Sequence, residues 1–540
     1  MEKFAARLFT ELGATENTNI LEWAPNLNVD GEKFLFENHE YQIGILNNFT
    51  PIEVHKKAAQ IGLSTCVSLI KITHRMITRV YPKGVLILFP SRSDVGDFSR
   101  GRQGPFISEN PDIKKYLDST AGKVVDNVET KRINKSLLYM RGAKATQNIK
   151  GLKKTSSRLK SIPCDAVVFD ERDEMADEMV VLAHSRLQHS QVGHTFHLST
   201  PSVPEYGIDA LYETTDRKKW LIKCKKCNTW TCLEDEFPNC LLEYKGSVLR
   251  VCKKCKNEIY PRDGGWVAEV PELSEEAAGF YISQLNSMAP ACSPKIILKE
   301  YQNLNPVTCS EFYNSRLGQA YVDADSTLVE SDIYKICKDY SMETSSGGPC
   351  YMGVDVNSRM FHIIITQTDS EYNAKVVYIG IKKDTSELYE IMKRYNVVRA
   401  VIDSGPETRL VNEFCRAFPG KVFGCHYSEH QKEDYKWDFK KYFVTVNRTL
   451  SLDTSHANVV SGKMVFPKRT EMIQTFAESC TKLKRRLHLG DDGAVRYYYV
   501  STDKSKDHFR HALNYECIAR NNAPRLLFGG LYDTNRKRRV

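Results

Sequence analysis

Residues 56–65 read KKAAQIGLST and hold the parts of a phosphate-binding loop. Small residues and Gly62 allow close backbone approach, Ser64 or Thr65 offers a hydroxyl to Mg²⁺, and a lysine can reach the β/γ oxygens. The usual order G-x-x-x-x-G-K-[ST] is altered, because Leu63 stands where the lysine belongs and Lys57 takes the place of the first glycine. The lysine then enters from the front of the loop. A strand-to-helix loop with a solvated lysine would read much the same. Farther along, the apolar run AVVFDE ends in Asp170 and Glu171. An acid there can hold the metal's water shell, and its neighbour can orient and deprotonate the attacking water. In this order and separation the two elements favour hydrolysis of ATP with Mg²⁺.

Three further candidates surround that pair. Gln42, just upstream of the loop, has an amide that can read both the donor and the acceptor of adenine. Ser199 and Thr200, ending HTFHLSTPS, are placed to sense the γ-phosphate, although a Ser-Thr-Pro run is also an ordinary turn. In the basic cluster 150–160, Arg158 is the candidate for an arginine finger acting on a neighbouring subunit's nucleotide.

A second set of acids lies in the last third of the chain. YMGVDVNS, FHIIITQT and KVVYIGI read as a three-strand meander, and VVRAVIDSG as a fourth strand after a helix. Asp355 and Asp403 then sit at strand ends and converge if the fourth strand runs parallel beside the first. Asp507, on a late helix with His511 one turn on, is the third acid, with Asp503 as its rival and His508 as a group that could tune a metal-bound water. Three such acids can hold two Mg²⁺ or Mn²⁺ ions about 4 Å apart for phosphodiester cleavage.

Cys224-Lys-Lys-Cys227 and Cys252-Lys-Lys-Cys255 are two C-x-x-C knuckles separated by 24 residues. Four thiolates at that spacing close a tetrahedral shell for structural Zn²⁺, which leaves no open position for catalysis. Cys232 and Cys240 lie between them without partners at matching spacing. Residues 217–256 carry eleven Lys/Arg against four Asp/Glu, a net +7 within a chain whose formal charge is +9. That focus suggests a polyanion, with a solvated lysine-rich surface as the plain alternative.

The elements that must position these groups follow from pattern. From Phe34 to about Ser202, buried β runs alternate with helical stretches, as in an α/β domain with a parallel sheet. Residues 271–345 are less readable and end in a Ser/Gly/Pro cluster at 345–349 that marks a linker. A chain of 540 residues exceeds one core and divides into two or three domains. With 26% charged and 10% aromatic residues the composition is that of a folded globular protein. No apolar run reaches the roughly 18 residues of a membrane span, and the N-terminus lacks a secretory core, so a cytoplasmic location with reduced cysteines is expected.

On these motifs the chain resembles the large terminase subunit of tailed bacteriophages, over nearly its whole length. KKAAQIGLS is similar to the family's deviant P-loop, VVFDERDE to its acid pair and HLSTPS to its coupling motif. GVDV, VIDSG and DHFRHALNYE resemble its three nuclease motifs, and the cysteine knuckles resemble the zinc-ribbon insertion of the lambda-type branch. The resemblance implies a P-loop ATPase domain over 1–215, a zinc-ribbon insertion over 216–270, the rest of the ATPase domain and a linker over 271–345, and a ribonuclease H-like nuclease over 346–540. It implies a motor that moves double-stranded DNA into a procapsid as a homo-oligomeric ring on the portal protein, with a small terminase subunit as partner. Location in the host cytoplasm, transiently at the portal vertex, would follow. Where many relatives carry a second acid, this sequence has His511, which leaves one or two nuclease metals open. A helicase or repair ATPase with an appended nuclease, and a zinc-ribbon DNA-binding protein with decayed motifs, are the competing readings.

Overall fold

The computed structural model describes residues 19–117, 119–120, 123–124, 126–143, 159, 162–304, 306–322, 327–357, 360–368, 374–405, 407–428, 431, 435–489 and 495–520. The chain forms two compact units, Met1–Tyr321 and Val322–Val540. Among the described residues no helix is long and apolar enough to cross a membrane.

The first unit is built on an 11-stranded sheet. Its strands are β1 (Ile52–Lys57), β2 (Val85–Phe89), β3 (Thr130–Ile133), β4 (Ser136–Gly142), β5 (Ala166–Asp170), β6 (His194–Ser199), β7 (Lys218–Lys223), β8 (Trp230–Cys232), β9 (Gly264–Ala268) and β10 (Ala277–Ile282), with Asp126–Asn127 at one edge. The order β10-β1-β6-β5-β2-β4 forms its parallel centre. VLILF, AVVFD and HTFHLS are buried at every position, which is the pattern of strands covered on both faces. Register pairs Lys56 with Ser199 and Asp170 with Leu198. Lys57, Glu171 and Thr200 therefore leave the sheet at one rim, the carboxyl end where open α/β sheets bind ligands.

Two features add to what was expected of this half. The segment 216–270, expected as a zinc-ribbon insertion, also contributes strands to the main sheet, because β7 runs parallel to β10 and antiparallel to β9, bringing Trp220 opposite Trp266. β8 pairs antiparallel with β7 in the same sheet, and the stretch between β8 and β9 carries a separate small hairpin of Leu241–Tyr244 and Ser247–Arg250. Trp266 Nε1 donates to the Tyr41 carbonyl at 2.8 Å, and Cys224, Cys240 and Cys252 belong to the same apolar core as Ile61 and Leu63 of the loop. The second is β10. AAGFYI, unread in the sequence, is a fully buried central strand beside β1.

The second unit holds an eight-stranded mixed sheet. Its strands are β11 (Cys350–Asn357), β12 (Met360–Thr368), β13 (Ala374–Lys382), β14 (Val397–Asp403), β15 (Val422–Tyr427), β16 (Tyr435–Asp438), β17 (Phe443–Val446) and β18 (Met464–Val465). The order is β16-β17-β15-β14-β11-β12-β13-β18. β11, β12 and β13 form the antiparallel meander, and β14 lies parallel beside β11. A helix, His508–Arg520, crosses β11 where Gly353 leaves room; a Cβ there would meet the Ala512 carbonyl oxygen at 2.0 Å. That close approach brings the start of the helix to the end of β11. Leu328 and Ile333 share a core with Phe476 and Phe509, and Tyr395 donates to the Glu343 carbonyl at 2.7 Å.

Candidate active sites

At the rim of the first sheet, Lys57 Nζ donates to Glu171 Oε1 at 2.7 Å. Burial works against the Lys57 charge, but Glu171 and Asp170 more than offset it and hold its pKa above the ordinary lysine value. Asp170 accepts from Ser64 Oγ at 2.9 Å and from Ser68 Oγ at 3.0 Å. Burial and the adjoining Glu171 push its carboxyl up, against the pull of Lys57 and the two hydroxyls. Hydroxyl and carboxylate thus meet at one point, the donor pair that suits a Mg²⁺ shell. Glu171 takes a left-handed backbone (φ 65°) that turns its side chain back toward the loop. Its Oε2 accepts from the Thr200 N–H at 3.3 Å and lies 3.5 Å from Ser199 Oγ, tying the end of β6 to the acid.

The loop from Lys57 to Thr65, with Arg102 and Glu171, lines a cleft of about 440 Å³. The Ala58 N–H donates to the Ile282 carbonyl and the Ala59 N–H to that of Ser315, so phosphate contacts must come from later in the loop. Gly62 has φ +78°, a conformation glycine adopts without strain. Thr65 opens a wide π-helical segment, Thr65–Lys71, in place of the regular helix expected.

Other residues fall differently. Gln42 is buried on a short helix, Tyr41–Asn47, behind the loop. Its Nε2 lies 2.9 Å from the point a Cβ on Gly62 would occupy, and it is not among the cleft-lining residues. Arg158 lies outside the described residues. The sequence reading missed Arg102, Ser68 and Asp173. Arg102 is an exposed residue of a π-helical segment, Ser99–Gln103, with no motif of its own. Ser68 follows Ser64 by one helical turn, a spacing that could have found it. Asp173 is buried and accepts from Ser202 Oγ at 2.7 Å and from the Ile208 N–H at 2.6 Å, bracing the chain past β6.

The four knuckle cysteines bring their sulfurs within 4.8 Å of one another. The Cys224–Cys255 and Cys227–Cys252 separations are 3.6 and 3.5 Å. Tetrahedral thiolates at ~2.3 Å from zinc sit roughly 3.8 Å apart, so the set fits that ion. Both knuckles turn the same way: Asn228 N–H returns to the Cys224 carbonyl and Lys256 N–H to that of Cys252, each residue at positive φ. Cys232 and Cys240 point elsewhere, donating to Glu234 and to the Leu233 carbonyl. Part of the basic focus nearby is paired. Arg217, Lys218, Lys219, Lys225 and Lys253 pair with carboxylates, and buried Arg250 donates to the carbonyls of Leu285 and Ser287.

In the second unit, Asp355 and Asp403 lie one step past the Val354–Ile402 pair of parallel β11 and β14. Burial and the charge of Asp355 push the Asp403 carboxyl up to about 6. Neighbouring carboxylates of this kind are stabilised by a divalent cation. Asp507 is not within the helix as expected but immediately before it, its carbonyl accepting the N–H groups of Arg510 and His511. Asp503 sits in an exposed turn hydrogen-bonded to Ser505. His508 Nδ1 is 2.9 Å from Asp355 Oδ2 and 4.0 Å from Asp507 Oδ1, and His511 Nε2 is 3.7 Å from Asp507 Oδ2. The three aspartates gather at one edge, with histidines between them. Among the described residues, the tight group here is Asp355, His362 and His508, with ligand atoms within 4.8 Å of one another.

Residues 36–270 match the family described as phage terminase large subunit gpA, ATPase domain. No curated protein matches the sequence. Among solved structures, the large terminase of bacteriophage HK97 is 9% identical, with 92% of this chain and 98% of that one covered at a TM-score of 0.51, a likeness of fold. The large terminase ATPase domain of Thermus phage P74-26 is 12% identical, covering 53% of this chain and 97% of that one at a TM-score of 0.31. The nuclease domain of the large terminase subunit of bacterial virus Sf6, with manganese, is 12% identical over 37% of this chain and 100% of that one, at a TM-score of 0.25.

Proposed function

We propose that the chain is the large terminase subunit of a tailed phage: an ATPase that drives double-stranded DNA into the procapsid and a metal-dependent endonuclease that cuts the concatemer. The observation that carries this reading is the pairing of Lys57 with Glu171 beside Asp170 and Ser64, inside the segment that matches the terminase ATPase family. In the motor, Lys57 leaves Glu171 for the phosphate oxygens, and Ser64 and Asp170 are the residues that would hold Mg²⁺, which would neutralise phosphate charge. Glu171, freed, accepts the proton of the attacking water. Loss of the γ-phosphate lets Glu171 return to Lys57 and shifts its hold on Ser199 and Thr200, which carries the event into β6. Gln42 backs the loop near the nucleotide, and an arginine finger comes from a neighbouring copy in the ring, with Arg158 as its source.

The second unit is a ribonuclease H-like nuclease in this reading, supported by the parallel pair β11 and β14, which run to Asp355 and Asp403, and by the helix that follows Asp507. Divalent ions bound there would supply charge stabilisation for phosphodiester cleavage. The carboxylates would position those ions, and His511, 3.7 Å from Asp507 Oδ2, would orient that aspartate. The four cysteines hold a structural Zn²⁺, making the knuckles the zinc-ribbon element of the lambda-type branch. Portal protein, a small terminase subunit and further copies of this chain are the partners, assembled in the host cytoplasm at the procapsid's portal vertex.

A packaging assay with purified portal-bearing proheads tests this. Wild-type protein should protect DNA from nuclease in an ATP-dependent way. Lys57→Ala should abolish protection yet retain Mn²⁺-dependent cutting, and Asp355→Ala should lose cutting. Strand separation on a forked duplex, with no protection, would replace the reading with a helicase.

A further inference from the structure

We propose that Asp355, His362 and His508 form a mixed carboxylate–imidazole site for a divalent transition-metal ion, so that the nuclease centre holds Mn²⁺ through nitrogen as well as oxygen. The inference rests on the nuclease reading above and adds two ligands that the aspartate triad does not contain. Asp355 and His362 are direct cross-strand partners on β11 and β12, and His508 opens the helix that Gly353 admits against β11. Three separate elements therefore converge on one point, with ligand atoms within 4.8 Å.

The distances suit an ion. His508 Nδ1 and Asp355 Oδ2 are 2.9 Å apart, and two ligands at right angles about 2.1 Å from an octahedral ion would be roughly 3.0 Å apart. On the far side of the His508 ring, Nε2 meets the Asn357 side-chain amide at 2.7 Å. That amide can present either its nitrogen or its oxygen, so it steadies the ring in either tautomer, as outer-shell partners of metal-bound histidines do. His362 is only 6% exposed, and its Nδ1 has no hydrogen-bond partner. A buried imidazole nitrogen without a partner is costly unless a ligand meets it. The two rings stack with centroids 4.7 Å apart, and Phe509 meets the His362 ring edge-on at 5.0 Å, which fixes both side chains before any ion arrives. Imidazole nitrogen suits transition metals such as Zn²⁺, Fe²⁺ and Ni²⁺, and Mg²⁺ prefers an all-oxygen shell; Mn²⁺, at the weak end of the transition series, is the member whose ligands paramagnetic resonance can read.

The test is pulsed electron paramagnetic resonance of Mn²⁺ added to the full-length, zinc-loaded, nucleotide-free protein. Directly coordinated imidazole nitrogen should modulate the echo of the wild-type complex, and this reading requires no variant to fold. His362→Ala and His508→Ala should each reduce the nitrogen signal and weaken Mn²⁺ binding about tenfold or more, with Mg²⁺ binding little changed. A bound Mn²⁺ with oxygen couplings alone overturns the proposal. Cutting assayed in parallel separates the two readings: Asp355-dependent cutting with oxygen-only Mn²⁺ leaves the nuclease and removes this site. Nitrogen-coordinated Mn²⁺ in a protein that never cuts leaves the site and removes the nuclease.

Discussion

Lys57 Nζ reaches Glu171 Oε1 across 2.7 Å, joining the last residue of β1 to the left-handed residue that follows β5. The lysine is nearly buried, with 6% of its side chain exposed, while the glutamate is 40% exposed. The charge that must meet phosphate is therefore held by the group that must activate water.

Separating the two partners should separate two defects. Lys57→Ala removes the only lysine of the loop placed in the cleft and is expected to reduce ATP hydrolysis at least about a hundredfold. Glu171→Gln should keep nucleotide binding while lowering turnover by about 10²–10⁴, the range for loss of a general base. Binding of a fluorescent ATP analogue and phosphate release, measured side by side, check this; a glutamine variant with normal turnover would remove Glu171 from the chemistry.

Gly318 supports the loop from below. It sits at φ +62°, and a Cβ there would lie 2.8 Å from the Ala58 nitrogen and 2.9 Å from the Lys57 carbonyl carbon. Gly318→Ala must pay about 1–2 kcal/mol for the left-handed backbone and displace the loop as well. ATPase activity should drop sharply while Mn²⁺-dependent cutting persists, and steady-state kinetics on both reactions will decide.

The cysteine knuckles share their core with the nucleotide loop, so the zinc ion proposed for them should matter to the ATPase fold. Cys224→Ser or Cys252→Ser is expected to remove bound zinc, as elemental analysis would report. Calorimetry should show a lowered unfolding temperature, since binding energy of a structural zinc is folding energy. Unchanged stability after zinc removal would make the knuckles an accessory.

Acid should weaken the first unit through His194. Burial and the Arg75 charge lower its pKa from 6.5 to about 3, and its Nδ1 is satisfied by Tyr81 at 2.9 Å. The folded value lies below the unfolded one, so the stabilisation is complete above pH 6.5 and disappears as pH falls toward 3. The slope is about 1.4 kcal/mol per pH unit at most. His194→Asn should flatten the pH dependence of urea unfolding between pH 6.5 and 4; an unaltered slope would assign the acid sensitivity to other groups.

Much of the first site could be read from the chain because its parts are contiguous. AVVFDE places its acids at the end of a continuous apolar run, KKAAQIGLST gathers lysine, glycine and hydroxyls within ten positions, and a parallel sheet aligns the ends of the two strands without further instruction. β10 escaped because AAGFYI, with two alanines and a glycine, lacks the branched residues that mark strands. In segment 216–270 the cysteines dominate the pattern, while β7, which joins it to the sheet, begins and ends in lysines and so does not read as a buried strand.

Sequence alone determined which chemistries the chain can attempt: phosphate binding with an acid pair, a four-thiolate site, and three aspartates in the order of a nuclease. Those follow from residue type and local spacing. Tertiary structure decided which groups meet. The pairing of Lys57 with Glu171 depends on the register of strands far apart in sequence, and the meeting of Asp355, His362 and His508 depends on a helix packed against Gly353. No local pattern encodes such distances, because a shift of one residue in register or one turn of helix would send the same side chains to opposite faces.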